Sequence, residues 1–134
     1  MTTQLSQIKW GRITISAFSV YVFSFLTMMG IILGYATYLG FQAQGMPDPD
    51  QIAQFANQYA SLLGSYGLIL FTFLAALRMS RKIEAAPHIH GIALGVSVSA
   101  LNLAISRLVS LDILISLILT IGAGWLGGKL GNRK

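Results

Sequence analysis

Cysteine is absent from the 134 residues of this chain. Its absence excludes disulfide bonds, thiolate metal sites and cysteine nucleophiles. Charged residues are also scarce, because Asp, Glu, Lys and Arg make up only 10% of the chain, against roughly a quarter of a soluble domain. So few charges cannot solvate a globular surface unless most of that surface faces lipid. The composition therefore predicts an integral membrane protein.

Acidic residues are especially few, with four Asp and Glu against nine Lys and Arg. A charged group inside a membrane span commonly marks an ion or proton pathway, and general acid-base catalysis needs a titratable group at the reacting atoms. Asp112 is the one carboxylate that adjoins the apolar runs, with Arg107 five residues earlier. We interpret Arg107 and Asp112 as an ion pair at the outer surface, with an ion pathway as the alternative, and we expect no enzymatic activity.

Three long runs with little or no charge make up most of the chain: 13–41, 59–77 and 91–126. A helix crosses the bilayer core with roughly 20 apolar residues. The third run would measure roughly 54 Å as one helix, far more than a bilayer core of about 30 Å, so a turn near 106–111 is expected to divide it. The sequence therefore predicts an all-α fold, an integral membrane bundle of four antiparallel transmembrane helices in one domain. The predicted helices cover about 12–41, 49–79, 88–106 and 110–130.

The second helix is predicted to begin before its apolar run. Asp48 suits the N-cap position, where a side-chain oxygen accepts a hydrogen bond from a free backbone N–H, and Pro49 suits the first helical position. Gln51 stands where a capping box carries Glu or Gln. We therefore expect this helix to start outside the membrane near Pro49 and to continue unbroken to Arg78.

Basic residues collect on one predicted side of the membrane. Eight of the nine Lys and Arg lie before the first helix, between the second and third, or after the fourth, and only Arg107 lies on the other side. The positive-inside rule then predicts that both termini are cytoplasmic, in the plasma (inner) membrane. This placement accounts for the net charge of +5 without a nucleic-acid partner. It also puts Arg78, Arg81 and Lys82 beside anionic lipid headgroups at the cytoplasmic face.

Small and polar residues recur at spacings of three and four along every predicted helix. In lipid, helices associate largely where small residues let their backbones approach closely. These residues are therefore predicted to pack helices together, either within the bundle or between copies of the chain. The predicted packing residues are Gly30, Gly34, Gly64, Gly91, Gly95, Ser99, Gly124 and Gly127.

A second set of polar residues lies in the third and fourth helices and has two open interpretations. Its members form interhelical hydrogen bonds, or they line a polar path for a solute. The set is Asn102, Ser106, Ser116 and Thr120, with Ser97 and Ser99 beside it.

His88 and His90 follow Pro87 near the predicted inner surface. Side chains two positions apart on a helix point to different faces, so this pair is poorly placed to hold one metal ion. We expect no metal site and no cofactor.

Three known families resemble the chain in its predicted layout, but the chain lacks the features that characterise each family. The chain resembles small multidrug-resistance transporters, which carry a glutamate in the first helix, whereas no acid stands between residues 13 and 41. It is similar in size to dual-topology fluoride channels. Their insertion in both directions needs a weak charge bias, whereas eight of the nine Lys and Arg of this chain lie on one predicted side. It also resembles membrane-bound glutathione-metabolising enzymes in plan but lacks their charged helix motifs. No functional residue is carried over from these families.

Two functions fit these residues. The first is a structural or accessory component that packs into a homo-oligomer or a larger membrane complex, so that Leu at Gly30, Gly34, Gly95 or Ser99 disrupts assembly. The alternative is a channel or carrier for a small solute without a proton-coupling carboxylate, in which Asn102 lines the path.

Overall fold

The computed structural model describes residues 8–83, 86–106 and 111–131. These residues form four helices: α1 (Trp10–Ala43), α2 (Pro49–Ser80), α3 (Pro87–Ser106) and α4 (Leu111–Gly131). All four are long and apolar enough to cross a membrane, and they pack together as a bundle. The predicted fold class is confirmed. The largest differences from the predicted bounds are two residues, at the two ends of α1.

The connection between α1 and α2 is closed by a cap on each side. Gln44 follows α1 in the left-handed conformation, with φ of 49°, and the Gly45 N–H donates to the carbonyl oxygen of Gly40 at 3.3 Å. Such a reversal satisfies carbonyls that the last helical turn leaves free. On the other side the Asp48 carboxylate accepts a hydrogen bond from the Asp50 N–H at 3.0 Å. The predicted helix start at Pro49 is therefore confirmed.

The four helices do not contribute equally to the bundle. α4 packs against α2 and α3, and α1 packs against α2 and α3, but within the described residues α1 and α4 do not meet. The interior is formed largely by apolar side chains of α1, α2 and α3, and Ala123 of α4 is also buried. The apolar side chains include Ile13, Ala17 and Val20 of α1, Leu68, Ala76 and Met79 of α2, and Leu94 and Val98 of α3.

The helices differ in length, and the difference appears at one end of the bundle. α1 and α2 have 34 and 32 residues, whereas α3 and α4 have 20 and 21, which gives about 50 Å against about 30 Å. The Lys9 N–H contacts the His90 ring, so α1 and α3 are level at their N-termini. At the far end α1 and α2 therefore continue past the short pair by about 20 Å. In this part, called the extension, the ring of Tyr35 stacks on Phe55 with centroids 4.0 Å apart.

The described charged residues are separated by sign along the bundle. The basic ones lie at the level end, here called the basic end: Lys9, Arg12, Arg78, Arg81, Lys82 and Lys129. The acidic ones lie at the opposite end: Asp48, Asp50 and Asp112.

Candidate functional site

A close helix contact joins α3 and α4 through glycine. A methyl group on Gly91 would collide with the carbonyl oxygen of Gly124, and one on Gly124 would collide with that of Gly91. A methyl group on Gly95 would lie 2.8 Å from the Cα of Ile121 and 3.0 Å from the carbonyl oxygen of Thr120. These obstacles are backbone atoms, so a side chain at these glycines requires the two helices to separate.

A second glycine contact joins α4 to α2 near the basic end. A methyl group on Gly127 would collide with the carbonyl oxygen of Phe73 and lie 3.0 Å from the Cβ of Ala76. The Ser80 hydroxyl donates to the Leu77 carbonyl at 2.9 Å and lies 3.4 Å from the carbonyl oxygen of Gly127. The glycine face of α4 is thus covered by its own chain on both sides.

Three of the predicted packing glycines have no such neighbour. A methyl group on Gly30, Gly34 or Gly64 would meet no atom within 4 Å. Gly30 and Gly34 are exposed on α1, and Gly64 is half-buried on α2. Within one chain these three glycines bring no helices together.

Three of the six residues in the predicted polar set bond to helix backbone. The Ser99 hydroxyl donates across the α3–α4 contact to the Leu117 carbonyl at 3.5 Å, and the buried Thr120 hydroxyl donates to the Ser116 carbonyl at 2.7 Å. Ser97 bonds within its own helix in the same way, at 2.8 Å from the carbonyl oxygen of Ala93. Of these three hydroxyls, only that of Ser99 bonds between two helices. The hydroxyl of Ser116 is buried without a hydrogen-bond partner among the described residues.

Asn102 lies elsewhere, in a cavity of about 220 Å³ between the ends of the short helices and the middle of α1 and α2. Ser24 also lines it, and the Ser24 hydroxyl is buried without a hydrogen-bond partner. The structure thus separates Asn102 from the α3–α4 contact that holds Ser99 and Thr120. Asp112 is exposed in the first turn of α4. Arg107 and the side chain of Ser106 lie outside the described residues, and so does the predicted ion pair.

The two histidines have different environments. His88 is exposed, whereas His90 is 1% exposed. The His90 Nδ1 lies 3.2 Å from the Ala86 carbonyl oxygen, so it carries the hydrogen, and Nε2 accepts a long 3.5 Å bond from the Lys9 N–H. His90 therefore joins the start of α1 to the first turn of α3. The sequence analysis did not predict this contact of His90 with the start of α1. A signal was present, because His90 directly precedes Gly91, and Gly91 begins the stripe of small residues that Gly95 and Ser99 continue.

A groove of about 610 Å³ lies between α1 and α2 and is called the α1–α2 groove. Three cations line it at the basic end: Arg12, Arg78 and Lys82. Its other lining residues are apolar or small. They are Ile15, Ser16, Ser19, Val20 and Phe23 of α1, with Phe71, Leu74, Ala75 and Met79 of α2. The rings of Phe23 and Phe71, with centroids 6.1 Å apart, lie at the end of the groove remote from the cations.

The chain matches no family model, no curated protein and no solved structure. Its chemistry therefore rests on its own residues. Three cations at one end of a groove form a positively charged surface whose chemistry suits an anion, through charge attraction and charge-assisted hydrogen bonds. The sequence contained a signal for this groove. Three of the regularly spaced small residues of α1 and α2 line the groove: Ser16, Ser19 and Ala75. Gly30, Gly34 and Gly64 of the same helices do not line it.

Proposed function

We propose that the chain is a structural or accessory component of a membrane assembly, not an enzyme, and that it packs through an exposed glycine face of α1. The observation that carries this proposal is the open space at Gly30 and Gly34. Spacing of four between two glycines is the pattern that lets transmembrane helices approach closely. The glycines of α3 and α4 satisfy that role inside the chain, and those of α1 are left for another copy or another protein.

The exposed face continues beyond the glycines into the extension. Thr37 and Phe41 follow Gly30 and Gly34 on the same side of α1, by the helical repeat of 3.6 residues per turn, and Phe41 is 80% exposed. A partner that packs on Gly30 and Gly34 therefore also covers a large aromatic side chain. This added contact supports the proposal that the chain packs into a homo-oligomer or a larger membrane complex.

The proposed orientation places the basic end in the cytoplasm, in the plasma (inner) membrane. Six described cations lie at that end and three described acids lie at the other. Lys and Arg in short segments beside membrane helices are retained on the cytoplasmic side. Both termini are then cytoplasmic.

Leu at both Gly30 and Gly34 tests the assembly role. The full chain is purified in mild detergent from native membranes, and its mass is read by native mass spectrometry. The unchanged chain is expected as a homo-oligomer or bound to another protein in fixed ratio, and the double variant as a single chain, because two bulky side chains hold the neighbouring backbone away. Gly122→Leu is the matched control, since Gly122 also faces open space on α4. An unchanged mass in the double variant, or equal loss in the control, contradicts the proposal.

The second candidate function is a channel or carrier for a small solute. It is supported by the cavity that Asn102 shares with Ser24, Ser61 and Ser65, since polar residues that face a cavity inside a membrane mark solute paths. In reconstituted vesicles, Asn102→Leu is expected to reduce solute flux severalfold, because it removes both a donor and an acceptor. Asn57→Leu is the control, as Asn57 is exposed on α2. Equal flux in both variants removes this candidate.

A further inference from the structure

The α1–α2 groove combines charge at one end with apolar walls along its length. We propose that it binds one anionic glycerophospholipid, with the phosphate at Arg12, Arg78 and Lys82 and one acyl chain along the groove. The proposal rests on the proposed orientation in one respect, because that orientation places the bound lipid in the cytoplasmic leaflet. It is independent of assembly through Gly30 and Gly34, because the groove lies in the other half of α1.

The charge at the groove is positive without compensation among the described residues. Arg12 comes from α1, Arg78 comes from α2, and Lys82 lies just after the end of α2, so the three cations approach the groove from both sides. The described acids all lie at the opposite end of the bundle. A basic pocket between transmembrane helices at the membrane surface is a recognised type of site for anionic lipid headgroups.

The depth of the groove matches one leaflet. On α1 the wall extends eleven positions from Arg12 to Phe23, or about 16 Å. On α2 it extends eight positions from Met79 back to Phe71, or about 12 Å, and Lys82 lies beyond the end of this helix. Half of a bilayer core is about 15 Å. The groove therefore reaches from the headgroup level to the middle of the membrane, which is the course of a single acyl chain. The contact of Phe23 with Phe71 lies where such a chain ends.

These dimensions favour a lipid over other occupants of the groove. A free phosphate would use only the three cations and leave the apolar walls uncovered. A second copy inserted in the same orientation would bring its own basic end against these cations, and like charges repel. An anionic lipid satisfies the charge and the apolar walls together.

Native mass spectrometry of the full chain in detergent tests the proposal. Phosphatidylglycerol and phosphatidylcholine with identical acyl chains are titrated, and lipid bound per chain is counted. The unchanged chain is expected to bind one phosphatidylglycerol in preference to phosphatidylcholine. The triple variant Arg12→Gln, Arg78→Gln and Lys82→Gln is expected to bind phosphatidylglycerol about tenfold or more weakly, because each cation contributes to the attraction.

The matched control changes two cations of the same end that do not line the groove. Arg81→Gln with Lys129→Gln removes nearby charge and leaves the groove intact, so its phosphatidylglycerol preference is expected to remain. Equal loss in the control and in the triple variant would show general attraction to the basic end and overturn the proposal. A triple variant that changes the oligomer without changing lipid binding would identify the groove as a contact between copies, which also overturns it.

A variant that keeps all charges tests the apolar part separately. Ser19→Leu projects into the groove without altering a cation and is expected to weaken phosphatidylglycerol binding severalfold. Undiminished binding in this variant contradicts an acyl chain in the groove. Inorganic phosphate is added as a competitor, and it is expected not to displace the lipid. Displacement at millimolar phosphate would assign the cations to a soluble anion and overturn the lipid proposal.

Discussion

At the scale of single residues, Gly91 and Gly95 of α3 and Gly124 of α4 meet backbone atoms, whereas Gly30 and Gly34 of α1 meet open space. The difference follows from the neighbours of each helix. α4 lies between α2 and α3, so its glycine face is covered, whereas the Gly30 and Gly34 face of α1 is covered by no described helix. Leu at Gly95, expected from the sequence to disrupt assembly between chains, therefore first disrupts the contact between two helices of one chain.

Gly95→Ala is expected to lower the free energy of unfolding by about 1–3 kcal/mol, the usual cost of overpacking a close contact. The added methyl group would lie 2.8 Å from the Cα of Ile121. A backbone atom cannot relieve this clash by a change of rotamer, as a side chain can. Denaturation of the detergent-solubilised chain by SDS measures the change. Gly122→Ala is the control, because its methyl group meets nothing within 4 Å and Ala is the better helix former. A Gly95 variant as stable as this control would contradict the contact.

At the scale of the helices, the sequence predicted much of the bundle and less of its packing. The lengths of the apolar runs, the Asp48–Pro49 helix start and the scarcity of charge were sufficient to predict the number of helices and their bounds within two residues. On α3, the stripe with Gly91 and Gly95 is also the buried face. On α1 the buried face instead carries Ile13, Ala17 and Val20. The same apolar side chains suit both lipid and protein neighbours, so the hydrophobic pattern of a membrane helix does not reveal which side is covered.

At the scale of the whole molecule, the separation of charge by sign is the basis of the proposed orientation in a membrane. The charge separation cannot be read from one stretch of the chain, because the basic end of the bundle combines the start of α1 with the ends of α2 and α4. The proposed orientation follows from this assembled charge. It makes a direct prediction about which residues reagents reach from outside the cell.

Single cysteines placed at the two ends are expected to react from opposite sides of the membrane. The chain has no cysteine of its own, so the unchanged protein gives no background with a membrane-impermeant maleimide. Met46→Cys, at a position 96% exposed between α1 and α2, is expected to react in intact cells. Arg81→Cys is expected to react only after permeabilisation. The reverse pattern, or reaction of both in intact cells, contradicts the orientation.

The unequal helix lengths have a consequence for the surrounding bilayer. The uncharged run of α1, residues 13–41, is about 43 Å long, whereas α3 and α4 match a core of about 30 Å. Lipids on the α1 flank therefore meet a taller hydrophobic wall than lipids on the opposite flank. This mismatch is relieved by tilting of the helix or by local thickening of the bilayer, at a fraction of a kcal/mol per Å. Where thickening rather than tilting relieves the mismatch, we expect a step in membrane thickness across the chain, with thicker bilayer beside α1 than beside α3 and α4.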